Sequence, residues 1–288
     1  MTRKTANSKE RPLVDFLNEH FFNSTDRSEQ AVKLAIVYLN GKLVKRPGIT
    51  INEDEDKIKV VGGGKIFVGR GGYKLQEAIQ VFNINLHNKV CLDIGASTGG
   101  FTDCMLQYSA GKIYAIDTGY GQLAWSLRTN EKVKPIERMN VRYLLPERLY
   151  THEEPTHKAT FAAIDVSFIS ALKVIPAVQG LLEGQDKSEM VILIKPQFEA
   201  GKDQVGRSGL IRNPVLHFEI LKNFLLGAAR AGLDIKKLIH SPLLGAAGNL
   251  EFLAYATWPK AGPLLNPQLD AWLNKIISIA YSELNLIE

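Results

Sequence analysis

A glycine-rich strand-to-helix turn, V-C-L-D-I-G-A-S-T-G-G-F (Val90 to Phe101), constrains this chain more than any other stretch. Glycine lets the backbone turn sharply and lets a ligand approach the main chain, while the following helix start presents unpaired N–H groups. Such a turn belongs at the carboxyl end of a strand in an open α/β sheet. The flanking sequence agrees. Apolar runs at 89–94, 112–117, 160–165 and 190–195 alternate with helical patterns at 73–82, 100–108 and around Pro176. A helix at 217–231 and a last strand at 251–258 follow. This alternation predicts a mostly parallel sheet covered by helices.

Acidic residues sharpen the turn. Asp93 stands two residues before the first glycine, and Asp117 closes the next strand, where a carboxylate can accept both ribose hydroxyls of a nucleoside. Beside a nucleoside site, other readings stay open on these residues. A dinucleotide site wants glycine where Ser97 stands. Gly95, Ser97 and Gly99 also spell a nucleophile elbow, which would need an acid and His217 or His240 in support. A bare structural turn is the remaining possibility.

Later strands end in charge. Asp165 closes one and Lys195 the next, and an open sheet gathers ligands at those ends. If the final strand runs antiparallel, Glu251 at its start meets them. Methylating a ribose hydroxyl needs a base to take its proton. Lys195 is the candidate base, with Lys74 as a second cation and Asp165 and Glu251 as orienting carboxylates.

The first sixty residues follow other rules. The opening dozen are polar and expected to be unstructured. Leu13, Phe16, Leu17 and Phe21 share one helix face, and Ser24 or Thr25 can cap a second helix running towards Ile36. Asn40-Gly41 between apolar runs predicts a hairpin, and a strand at 57–61 follows an acidic loop at 52–56. Gly62 to Gly64 read as a linker. The expected organisation is a small module at 10–62, a linker at 63–69, a large domain at 70–260 and a helical extension at 261–288. That extension carries Leu269, Leu273, Ile276 and Ala280 at helical spacing. It either packs on the same domain, makes a dimer contact or covers the RNA side.

Composition excludes other classes. No run of about 18 apolar residues is present for a membrane-spanning helix, and the polar N-terminus lacks the apolar core of a secretory signal. Cys91 and Cys104 build no disulfide framework. A cytoplasmic protein with no membrane partner and no metal is expected, and a net charge of +5 is compatible with a polyanionic partner.

GRGGYKL (69–75), DIGASTGGFTDC (93–104), AIDTGYGQLAW (115–125), IDVSFIS (164–170), LIKPQFEAG (193–201) and GNLEF (248–252) together resemble the TlyA family. Its members are FtsJ-like rRNA 2′-O-methyltransferases that also carry the name hemolysin. The resemblance covers residues 10 to 260 and implies an α/β, Rossmann-like S-adenosylmethionine methyltransferase sheet with a small N-terminal α+β module of the S4 RNA-binding type. It implies S-adenosylmethionine as cofactor, held by Asp93, Gly95, Ser97, Thr98, Gly99, Gly100, Phe101, Asp117 and Asp165. It implies a Lys-Asp-Lys-Glu tetrad, which falls on Lys74, Asp165, Lys195 and Glu251, and ribosomal RNA or a ribosomal subunit as partner. RNA contacts are expected at Arg27, Lys33, Lys42, Arg70, Lys202, Arg207 and Arg212, the last three on a mobile loop (197–212) over the crevice.

The chain departs from the pattern in places. Gly69 stands where the family usually has Ser, and the second helix carries few cations. Residues 1–62 hold 11 Lys/Arg against 9 Asp/Glu, a net of +2. Since phosphate contacts dominate RNA affinity, this weakens the expected grip of the module. Two functions from other classes compete: a non-catalytic RNA-binding or ribosome-assembly factor, and a lytic protein.

Overall fold

The computed structural model describes residues 10–150, 157–184, 188–201, 204–206, 208–259 and 268–284. The chain divides into two compact units between Arg70 and Gly71. The first contains strands β1 (Glu10–Pro12), β2 (Val37–Leu39), β3 (Lys42–Leu43), β4 (Thr50–Asn52) and β5 (Ile58–Val60), with helices α1 (Leu13–Leu17) and α2 (Thr25–Lys33). Asn40 and Gly41 both have positive φ, 51° and 78°, as a two-residue turn between twisted strands requires. They join β2 to β3, and β5 pairs with the other edge of β2. Ser24 caps α2 by accepting the Arg27 N–H. The helix stops at Lys33, short of Ile36, because Ala35 turns to φ 54°.

Three local expectations give way. Residues 10–12 are not unstructured but form β1 against β4, with Arg11 between Glu19 and Glu53. Phe22 is buried in place of Phe21, because α1 runs into a wide π-helical turn (Asn18–Phe22) closed by the Asn23 N–H on the Asn18 carbonyl. The wider turn rotates the apolar face. Residues 63–69 group with the first unit instead of standing apart as a linker. There Gly64 approaches Phe21 so closely that a Cβ would lie 2.5 Å from its carbonyl oxygen.

The second unit is a seven-stranded sheet. Its strands are β6 (Val90–Ile94), β7 (Lys112–Ile116), β8 (Val133–Ile136), β9 (Phe161–Ile164), β10 (Ser188–Ile194), β11 (Asp234–His240) and β12 (Phe252–Trp258), ordered β11-β12-β10-β9-β6-β7-β8. Only β12 opposes its neighbours in direction. The principal helices are α3 (Gly71–Phe82), α4 (Gly100–Gln107), α5 (Trp125–Arg128), α6 (Pro146–Leu149), α7 (Ile175–Leu181), α8 (Pro196–Glu199), α9 (Pro214–Arg230) and α10 (Leu269–Glu283).

Side chains alternate across a strand, so a sheet covered on both faces needs unbroken apolar runs. Even-numbered positions (Leu92, Ile94, Ile116, Ile164, Ile192, Phe252) pack with α7, α9 and α10. Odd-numbered ones (Cys91, Ile113, Phe161, Val191, Leu253) are buried on the opposite face, where α3 and α4 lie. The tail helix α10 therefore packs on the same unit, placing Leu273, Ile276 and Ala280 in the core. Asn213 starts α9 by accepting the Val215 and Leu216 N–H groups ahead of Pro214 at the first helical position.

Candidate active site

The chain order reverses between β6 and β9, with β7 and β8 to one side and β9, β10 and β12 to the other. Ligands bind at such a switch point, beyond the carboxyl ends of the strands. Register sets the first row of the site. Ile94 pairs with both Ile116 and Ile164, so the next residues, Asp117, Gly95 and Asp165, stand side by side. Glycine is required in the middle of that row: φ is 89°, and a Cβ would lie 2.3 Å from the Asp165 carbonyl oxygen. Gly99, at φ 98°, leaves room for the Leu127 and Leu123 side chains.

Ser97 also holds a left-handed backbone, φ 49°. Its N–H donates to Asp117 Oδ2 at 2.8 Å, and the Gly119 N–H donates to Asp117 Oδ1 at 2.6 Å. A carboxylate has about four acceptor positions, so Asp117 clamps the turn and retains capacity for ligand hydroxyls. A cavity of about 350 Å³ opens above this row, within the size range of small-ligand sites. Gly95, Ser97, Asp117 and Asp165 line it, with Thr118, Gln122, Asn140 and Ser167 as further polar groups and Ile94, Ile116, Val141 and Ile169 as apolar wall.

Asp93 is not in that wall, contrary to expectation. It is fully buried behind the turn, where its Oδ2 accepts the Thr102 hydroxyl at 2.5 Å and so ties β6 to α4. Burial raises its pKa to about 7. Gly99, Gly100 and Phe101 are likewise buried and shape the turn, while Thr98 is exposed beside it.

The second row is charged. Ile194 pairs with Phe252, and continuing that antiparallel register brings Lys195 opposite Glu251 at the same end of the sheet. Lys195 Nζ forms an ion pair with Asp165 Oδ1 at 2.6 Å and donates to Ser167 Oγ at 2.8 Å. Lys74, on α3, forms an ion pair with Glu251 in which both side chains are buried. All four tetrad positions therefore converge as two lysine–carboxylate pairs.

Loops around the site are pinned by polar groups that sequence reasoning did not single out. Glu199, at the end of α8, accepts the Ser170 hydroxyl (2.5 Å) and the Ala171 N–H (2.7 Å), and burial raises its pKa. Asn249 accepts the Ile211 N–H and donates to the Gly209 carbonyl, both at 2.8 Å. The far end of the loop expected to move freely over the crevice is thus anchored next to Glu251. Lys202 and Arg207 lie outside the described residues; Arg212 is exposed. In the first unit Arg27, Lys33 and Lys42 are exposed, Lys33 beside Glu29 at 3.4 Å, and Arg70 is that unit's last residue.

The hydrolase alternative fails on geometry. His217 is buried against Phe252 with its Nδ1 3.0 Å from the Tyr281 hydroxyl, and burial lowers its pKa to about 4. His240 pairs with Glu283 at 3.3 Å. The Ser97 hydroxyl meets Gln122, at 3.4 Å, and neither histidine.

Comparison with known proteins agrees with this architecture. Residues 67–258 match the family model of FtsJ-like methyltransferases. A Bacillus subtilis protein, provisionally named rRNA methyltransferase YqxC, is 40% identical over 257 residues, 89% of each chain. The 16S/23S rRNA (cytidine-2′-O)-methyltransferase TlyA of Mycobacterium tuberculosis is 34% identical over 232 residues, 81% of this chain and 84% of its own. A solved structure from Streptococcus thermophilus, provisionally called a hemolysin, superimposes with a TM-score of 0.71 at 34% identity, covering 96% of this chain and 98% of that one. Among the described residues no helix is long and apolar enough to cross a membrane. With two thirds of its length in the family model and relatives matching across most of the rest, this chain belongs to the FtsJ-like methyltransferase family.

Proposed function

We propose that the protein transfers a methyl group from S-adenosylmethionine to a ribose 2′-hydroxyl of ribosomal RNA. The observation that carries this reading is the pair of lysine–carboxylate contacts beside a nucleoside-sized cavity. The donor set fits the cofactor: Asp117 for ribose hydroxyls, the Gly95–Ser97 backbone for polar groups, Ile116 and Val141 for a base, and Asp165 beside a positive centre. When bound, the cofactor supplies an electrophilic methyl group on a cationic sulfur. Lys195 is the proposed acceptor of the hydroxyl proton. The resulting ammonium is received by Asp165 and Ser167, the partners it has at 2.6 and 2.8 Å. Lys74, neutralised by Glu251, positions the far side of the same sheet end. Relatives named as rRNA methyltransferases support ribosomal RNA as the substrate.

The first unit is proposed as an S4-type RNA-holding module that uses Arg27, Lys33 and Lys42, with Arg70, Lys202, Arg207 and Arg212 as further phosphate contacts. Residues 1–62 carry a net charge of only +2, which suits a supporting grip. The deciding experiment incubates the protein with labelled S-adenosylmethionine and ribosomal subunits, then maps 2′-O-methyl marks. Cofactor binding without label in any ribosomal RNA would instead establish a non-catalytic RNA-binding factor.

A further inference from the structure

Four aromatic side chains among the described residues stand far out of the surface, between 66% and 91% exposed: Tyr120, Trp125, Tyr143 and Phe168. All four belong to segments that contribute lining residues to the same cavity. Phe168 lines it directly, while Tyr120, Trp125 and Tyr143 follow the lining residues Thr118, Gln122 and Val141 by two or three positions. The other exposed large apolar side chains among the described residues, Val81, Leu145, Val215 and Ile279, are aliphatic and less exposed, at 38% to 64%. Single exposed apolar residues need no explanation, but several gathered round one opening mark a contact surface.

Cations are set into that surface. The Arg138 guanidinium lies 4.1 Å from the centre of the Tyr120 ring, and Arg142 lies 5.4 Å from that of Tyr143. Glu137, the acid nearest in sequence to Arg138, is already engaged: it accepts from Arg128 at 2.5 Å and from the Gly121 N–H at 2.8 Å. Residues 128–148 contain six Lys/Arg against three Asp/Glu.

We infer that Tyr120, Trp125 and Tyr143, with Arg138 and Arg142, form a stacking platform for unpaired bases flanking the nucleotide that is modified. The inference rests on the RNA methyl-transfer reading and adds the state of the strand. Exposed rings interleaved with arginines suit single-stranded nucleic acid, because every base offers a π face and every linkage a phosphate. A methyl donor held in that recessed cavity would reach only a nucleotide drawn out of its helix, which leaves its neighbours unstacked. The rings then replace the stacking those neighbours lose. A protein partner could also use aromatic and arginine side chains. The excess positive charge of residues 128–148 favours RNA.

Trp125 provides its own reporter, since Trp258 and Trp272 are partly buried against the core. Tryptophan fluorescence of the full chain is titrated with an unpaired RNA of about twelve nucleotides, within the usual site size of single-strand binders, and with the same sequence as a duplex. The unpaired RNA should quench the signal and the duplex should do so at least tenfold more weakly. Trp125→Ala and Tyr143→Ala, read by anisotropy of labelled RNA, should each weaken binding about tenfold. Arg138→Ala should reduce the salt slope by about one. Parent-like binding of unpaired RNA by the Trp125→Ala/Tyr143→Ala double variant, with an unchanged melting temperature, overturns the platform, as does equal binding of duplex. Neither result touches methyl transfer by the parent chain, which the labelled-cofactor assay reads separately. Absence of that transfer removes the reading on which the platform rests.

Discussion

Lys74–Glu251 and Lys195–Asp165 have the same chemistry and sit at the same end of one sheet, yet their surroundings differ. Glu251 is 3% exposed and its pair is sealed between α3 and the start of β12, whereas the Asp165 side chain is 20% exposed and lines the cavity. A sealed ion pair does not readily exchange partners, and removing one member leaves the other buried and uncompensated. An open pair can give up its partner to a ligand. One pair is therefore expected to hold the site together, and the other is the pair that the proposed methyl transfer would use.

The largest expected effect breaks the open pair. Lys195→Ala should lower methyl transfer by about a hundredfold to ten-thousandfold, the usual contribution of a general base, with little change in melting temperature. Wild-type-like turnover would falsify the assignment of the base. Glu251→Ala should act in the other order, losing roughly 3–5 kcal/mol of stability in denaturant titration because Lys74 stays buried without a counter-charge. If Glu251→Ala is as stable as the parent but inactive, the contrast between the pairs is mistaken.

Acid sharpens the comparison further, because a buried titratable group stands behind each side. His217 packs against Phe252, next to Glu251, and burial lowers its pKa from the ordinary 6.5 to about 4. The unfolded chain binds that proton first, so the stability it contributes is complete above pH 6.5 and is lost as pH falls towards 4. The loss is on the order of 3 kcal/mol when complete. Asp93, behind the turn, has the opposite sign. With its pKa raised to about 7, it favours the folded state below pH 4, and that advantage disappears as pH rises through 7. Stability measured from pH 4 to 8 should flatten on the acid side in His217→Gln, and Asp93→Asn should gain over the parent at pH 8. The smallest effect lies at Ser97, whose φ of 49° Gly would adopt without steric penalty. Ser97→Gly should shift stability by less than about 1 kcal/mol, since relieved strain is offset by extra freedom in the unfolded chain. A loss of several kcal/mol there would show that the Ser97 side chain fixes the turn.

What could be read in the sequence follows from how local its cause is. The Asn40-Gly41 hairpin and the Ser24 cap depend on a few adjacent residues, and both are found. The site's charged residues were visible because charge at a strand end is conspicuous, and Glu251 needed only the direction of β12. Strands β8 and β11 escaped notice for physical reasons. Pro135 sits inside β8, which is tolerated because β8 lies at the sheet edge. The other edge strand, β11, carries exposed Lys236 and Lys237 and a register shift beside them, features that protect an edge and hide its pattern. Missing β8 also meant missing Asn140 and Val141 beyond its carboxyl end. Asp93 was misplaced because sequence shows its distance from the glycines but not that Thr102 would claim it. Phe21 and Phe22 exchanged places through one wide helical turn, which residue spacing at 3.6 does not register.

The sealed pair joins residues 177 positions apart in the chain. A contact of that span forms only after a large loop has been closed. On the ribosome, β6, β7 and the glycine turn emerge long before residue 251, while Lys74 still lacks its counter-charge. The antiparallel insertion of β12 between β10 and β11 then completes the sheet and the tetrad together. A chain that stops short of residue 251 would carry the glycine turn and Asp117 without the Lys74–Glu251 pair.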